Sequence, residues 1–189
     1  MKRQQRLNLI DQQSRAYMEG NVEFINNQWV FFDKETDDAS SLEEYRQQEI
    51  EVFRLKRWRK GVLSLNGQIH CGSDLLHLKD QDQIRIKKHL VFSLESLLEE
   101  VNDDAFVQFI TSLNSIDFSI FDCIYCYNQL TFFGDETRKS GVNFMIFDNQ
   151  EHICSVQHHF FYYEKETDRF EFTLNSGKRM VIEKISSSG

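Results

Sequence analysis

Along the first part of the chain, apolar and polar positions alternate in short runs. Val22-Glu23-Phe24-Ile25 and Trp29-Val30-Phe31-Phe32 flank the turn-forming pair Asn26-Asn27, which predicts a hairpin. Residues 33–48 are polar and acidic, and Ser41 and Glu44 stand at capping-box spacing for a short helix. Strand character resumes at Ile50. Val62-Leu63-Ser64-Leu65 and Gln68-Ile69-His70 then flank Asn66-Gly67, a strong hairpin signal. Gln83-Ile84-Arg85-Ile86 is a last run. Five or six short strands in this stretch predict a small antiparallel barrel-like unit of SH3 or OB type over residues 1–90.

The period then changes. Leu94, Leu97, Leu98 and Val101 recur at i, i+3, i+4 and i+7, with Ser93 as the expected N-cap, and Phe106, Phe109, Ile110 and Leu113 repeat the spacing. Both predict amphipathic helices. Residues 118–133 are apolar almost all round and are read as a third, buried helix, with a strand as the alternative. From Val142 the period is two. Four strands, near 142–148, 152–164, 169–174 and 179–185, are joined by short polar turns and predict an antiparallel meander. In the first two of these strands both faces are apolar, so both require cover: helices on one, and the N-terminal unit or a second copy of the chain on the other. The expected fold is α+β, with a barrel-like unit over 1–90 and two to three helices plus a four-stranded meander over 91–189.

Composition narrows the class. The chain has 189 residues, 40% hydrophobic, with 17 Phe and no Pro, which is enough apolar material for a packed core. No apolar run approaches the ~18–20 residues of a membrane span. The basic start of the chain lacks the apolar stretch of a secretory signal. Four Cys without framework spacing point to reduced thiols, and a cytoplasmic location is expected. The net charge of -8 is unevenly placed: residues 1–90 are nearly balanced, and no Lys or Arg occurs between His89 and Glu136.

One run departs from that acidic background, Arg54-Leu55-Lys56-Arg57-Trp58-Arg59-Lys60. Clustered cations with an aromatic among them can hold an anionic macromolecule. Strict alternation would bury arginines, so a β-bulge near Lys56-Arg57 is expected, turning Phe53, Leu55 and Trp58 inward and the cations outward. Arg54, Lys56, Arg57, Arg59 and Lys60 are therefore the candidate polyanion-binding residues. The bland reading is an edge strand whose cations prevent strand pairing, or one neutralised by the acidic stretch upstream.

Cys123-Ile124-Tyr125-Cys126 is a CxxC, and His152-Ile153-Cys154 places two potential ligands on one side of a strand. Cys123, Cys126, His152 and Cys154 are thus the candidates for a metal or thiol-redox site. The bland reading is core thiols inside an aromatic stretch. The chain has no GxSxG, P-loop or GxGxxG, so common hydrolase and nucleotide chemistries lack their signatures.

The run of strands, including Asn21-Val22-Glu23-Phe24 and Trp29-Val30-Phe31-Phe32, resembles an uncharacterised family of small proteins of Bacillus-type bacteria. The resemblance implies no activity and assigns no residues. The expectation is a non-enzymatic binding or regulatory protein without a cofactor, engaging a protein partner or itself through the second face of the meander. A nucleic-acid or polyanion adaptor and a metal or thiol-redox protein are the alternatives, and no membrane partner is expected.

Overall fold

The computed structural model describes Met1 and residues 3–187. The chain forms two compact units, residues 16–88 and residues 1–15 with 89–189. The first fifteen residues therefore group with the helices and the C-terminal sheet.

In the 16–88 unit, eight antiparallel strands form one sheet. They are β1 (Tyr17–Ile25), β2 (Gln28–Asp33), β3 (Ala39–Ser41), β4 (Glu49–Arg54), β5 (Arg57–Leu63), β6 (Gln68–Cys71), β7 (Asp74–His77) and β8 (Gln83–Lys87). The order is β3-β2-β1-β8-β4-β5-β6-β7, so the last strand inserts at the centre, between β1 and β4. Ile84 and Ile86 explain that position, since both are fully buried. They join Val22, Phe31, Ile50, Val52, Leu63 and Ile69 in a single core.

The expected barrel does not close. The sheet ends in β3 and β7, strands of three and four residues, too short to carry the tilted, staggered pairing that closure requires. The hairpin expectations fare better. Asn26 and Asn27, both at positive φ, turn β1 into β2, and Asn66-Gly67 turns β5 into β6. Gly67 is needed there: its φ is +70°, and a Cβ would strike the Trp29 indole. The acidic stretch supplies a short 3₁₀ turn, Leu42–Tyr45, capped by the Ser41 hydroxyl.

The other unit contains α1 (Arg3–Asp11), α2 (Phe92–Glu100) and α3 (Asp103–Ser115), with a five-stranded antiparallel sheet. The strands are β9 (Cys123–Tyr127), β10 (Lys139–Asp148), β11 (Ile153–Tyr162), β12 (Lys165–Leu174) and β13 (Arg179–Ser187). Leu94, Leu97, Leu98, Val101, Phe106, Phe109, Ile110 and Leu113 are all buried, as their periodicity requires. Phe109 meets Phe147, Phe170 and Phe172 across the inner sheet face.

Three local expectations change. Residues 118–133 are not a helix: a 3₁₀ turn closed by a Ser119–Asp122 capping box leads into β9, which adds a fifth strand beside β10. The β-branched and aromatic content of Cys123–Tyr127 suits that strand. Ser93 does not cap α2. It lies inside the helix, and its hydroxyl donates to the Cys126 carbonyl. The polar helix α1 was not expected. Arg6 fixes it by donating to the Leu98 and Val101 carbonyls, the Asp103 carboxylate and, as a cation, the face of Phe106.

Candidate functional site

The basic run is a hairpin rather than a bulged strand. Leu55 and Lys56 both take left-handed backbone conformations, φ 53° and 60°, and join β4 directly to β5. Two positive φ angles match the type I′ turn that suits strand twist. Leu and Lys are poor residues for it, since a Cβ in this region meets the following carbonyl at about 1–2 kcal/mol per residue.

The turn overturns part of the expected distribution of side chains: Leu55 and Phe53 are exposed, whereas Trp58 is half-buried and Lys56, Arg57 and Lys60 face solvent. Leu55 stands at the tip, 86% exposed, and Phe53 faces Trp58 across the ladder with ring centroids 5.1 Å apart. The cations divide. Arg54 donates to the His77 carbonyl at 2.6 Å and to the Asp82 carboxylate. Arg59 pairs with Asp74 at 2.8 Å, and Lys60 with Glu49 at 2.5 Å. Among the described residues, Lys56 and Arg57 form no ion pair, and both are exposed.

Cys123, Cys126 and Cys154 go to the core of the other unit. A register shift between Ile146 and Phe147 sets Cys123 opposite Phe147 and Cys126 opposite Met145, so both sit opposite core-facing residues. Burial pushes the Cys123 thiol up to about 12, with Cys126 adding to the effect, and Cys126 up to about 11. Cys154 is fully buried and also held up at about 11 by burial. His152 lies exposed in the turn before β11. Among the described residues, no three His, Cys, Asp or Glu side chains gather as a metal site requires. Thiols held this high stay protonated near neutral pH, the opposite of an activated redox pair.

A buried polar chain escaped the sequence reading. Asn143, His158 and Asp168 are fully buried on inward positions of β10, β11 and β12. Asn143 Oδ1 accepts the Gln129 backbone N–H at 2.6 Å, so its amide Nδ2 must face His158 Nδ1, at 3.1 Å. That leaves Nδ1 as an acceptor and places the ring proton on Nε2, which donates to Asp168 Oδ1 at 2.8 Å. Tyr162 donates to the same oxygen at 2.6 Å, and Asn102 Nδ2 donates to Oδ2 at 2.8 Å. Asn102 Oδ1 accepts from Ala105 as the N-cap of α3, so the chain ties helix to sheet.

Burial raises the Tyr162 phenol, with the negative charge of Asp168 adding to it, so the group remains a donor. Tyr162 and Asn102 also line an open cleft of about 310 Å³ with Glu100, Glu136, Lys139 and Glu166. Both ring nitrogens of His158 are committed inside the protein, and so are both oxygens of Asp168. The arrangement holds a buried carboxylate and fixes packing. The available signal was a polar residue at a core position of an otherwise apolar alternation, as in Asn143-Phe144-Met145-Ile146-Phe147.

The outer face of the five-stranded sheet is split. At the β9–β10 end, Tyr127 pairs with Phe144 and Tyr125 with Ile146, with Val142 alongside. Phe144 is 45% exposed, and Phe132, 74% exposed, lies 6.1 Å from the Tyr127 ring. Across the middle of β11 and β12, between exposed Ile153 and Phe161, the face turns polar. Glu171 receives Arg169 at 2.7 Å and Arg179 at 3.5 Å, with His159 3.7 Å away.

A family model described as a protein of unknown function, DUF2777, matches residues 4–184. The chain belongs to this family. It is similar to the uncharacterized protein YisN of Bacillus subtilis strain 168, 32% identical over 127 residues. The match covers 67% of this chain and 65% of that relative, just under two thirds of its length. No solved structure matches the chain. Among the described residues, no helix is long and apolar enough to cross a membrane.

Proposed function

We propose that this member of the DUF2777 family acts by binding another protein molecule, in the first instance a second copy of itself, through the outer face of the five-stranded sheet. The observation that carries this reading is the contiguous aromatic and aliphatic patch of Tyr125, Tyr127, Phe132, Val142, Phe144 and Ile146, set beside a charged half of the same face. An exposed apolar patch rimmed by polar residues marks a contact surface. Tyr and Phe supply large contact area at small entropic loss, and interface cores are enriched in them. A two-fold contact needs only one such patch, because the same surface meets itself.

The buried chain through His158 and Asp168 supports this reading by giving the face a rigid backing: the inward side chains of β10, β11 and β12 are locked to α3. A photo-reactive amino acid at Phe144 tests the contact. The reading expects a cross-link to a second chain or to a defined protein in cell extract. The same probe at exposed Thr111 on α3 should give none.

A further inference from the structure

The unit of residues 16–88 contains two hairpins with the same tip geometry and opposite chemistry. Asn26 and Asn27 turn β1 into β2 at φ 50° and 64°, and Leu55 and Lys56 turn β4 into β5 at φ 53° and 60°. Asparagine adopts this backbone region readily; leucine and lysine adopt it at a cost. Leu55 gains no packing in return, being the most exposed large apolar side chain among the described residues. A turn that takes on this cost and displays an apolar residue to solvent points to a contact outside the fold.

We infer that this tip docks on the surface of an anionic lipid membrane. Leu55 enters the boundary between headgroups and acyl chains, and Lys56 and Arg57 meet the lipid phosphates and carboxylates. Three features fit that surface. The Phe53–Trp58 pair forms an apolar collar directly behind the tip, and tryptophan favours the membrane interface. The cations nearest the tip are those without an ion pair among the described residues, whereas Arg54, Arg59 and Lys60 are engaged by Asp82, Asp74 and Glu49. Apolar tip and free cations lie together, the combination that interfacial binding requires.

A nucleic acid fits less well. It would use the cations, but a phosphate backbone has no use for Leu55, and one face of the Trp58 ring is already covered by Arg85, 4.5 Å away. The net charge of -8 repels an anionic surface at long range, so binding is reversible, salt-sensitive and dependent on the apolar contact. The expectation of no membrane partner rested on the lack of a spanning segment, which interfacial docking does not need. The inference concerns other residues than the proposed sheet contact, and each stands or falls separately.

The test is co-sedimentation of the full chain, at low and physiological salt, with vesicles of phosphatidylcholine alone or with about one third phosphatidylserine. Wild type should bind the phosphatidylserine vesicles at low salt and release with rising salt. Leu55→Asn with Lys56→Gly gives the turn the residues its geometry favours. That variant should unfold no more easily than wild type yet bind vesicles about tenfold less. Leu55→Ser alone, with its circular dichroism checked, should lose binding in the same direction. Lys56→Glu with Arg57→Glu should abolish the preference for phosphatidylserine. The inference is overturned if wild type ignores the charged vesicles at low salt, or if the Asn-Gly variant binds as tightly as wild type. It is equally overturned if the chain retains a single-stranded RNA oligonucleotide or a poly-glutamate peptide while ignoring vesicles.

Discussion

The amide of Asn143 lies 3.1 Å from Nδ1 of His158, inside the five-stranded sheet, and this contact sets the histidine's proton on the side of Asp168. It does so because the other end of the Asn143 amide is held by a backbone N–H that can only donate. A single peptide group, bound to Asn143 two strands from Asp168, thus determines the tautomer of the fully buried imidazole between them.

Removing the anion at the end of this chain should be severe. Asp168→Ala leaves three donors, from His158, Tyr162 and Asn102, without their acceptor in the interior. The expected loss is about 3–5 kcal/mol. Tyr162→Phe removes one donor and should lose about 1–2 kcal/mol. Urea denaturation of both variants checks the order.

Asn102 has two duties that one pair of substitutions separates. Asn102→Ala removes the cap of α3 and the donor to Asp168. Asn102→Asp keeps a capping oxygen but turns a carboxylate toward a buried carboxylate. The aspartate variant should be at least as destabilised as the alanine variant near neutral pH, reversing the usual equivalence of Asn and Asp at an N-cap. The midpoints of thermal unfolding decide it.

The basic run should divide in the same way. Arg54→Ala frees the Asp82 carboxylate and the His77 carbonyl and should destabilise by about 1–3 kcal/mol. Arg57→Ala should fall within about 0.5 kcal/mol of wild type, as expected for an exposed side chain with no such tie. Equal effects in urea would contradict the division.

How far the sequence anticipates this structure depends on the range of the forces. Periodicity placed α2, α3 and the strands β10 to β13 close to their observed positions, because burying one face is a local demand. It misplaced 118–133, since an apolar stretch of Phe, Ile, Tyr and Cys satisfies a buried helix and a strand equally, and only pairing with β10 decides. It left the barrel open to error because closure depends on short end strands with little pattern of their own. The Leu55-Lys56 turn was illegible for the opposite reason: its residues argue against the turn they form. The outer face of β10 was legible, since Phe144 to Phe147 is apolar on both sides; the buried Asn143–His158–Asp168 chain joins three strands that no spacing links.

The thiols give a pH dependence of definite sign. Cys123 is held up at about 12 and Cys126 and Cys154 at about 11, whereas an unfolded cysteine titrates near about 8.5. Between those values the unfolded chain loses protons that the folded chain keeps, so stability falls as pH rises. The contribution is complete below about 8.5 and declines toward the folded values. The urea midpoint should show the thiol effect only above about pH 9, with a shallower decline in Cys154→Ala. Iodoacetamide at pH 8 should label the native core thiols far more slowly than the unfolded chain.

Light scattering of the purified chain across a concentration series, beside Phe144→Glu, tests the sheet contact most directly. The account expects wild type to reach the mass of two chains as concentration rises, and Phe144→Glu, with its fold intact by circular dichroism, to stay at one. A wild type at one chain mass throughout, or a Phe144→Glu variant that associates as wild type does, contradicts self-association through this face.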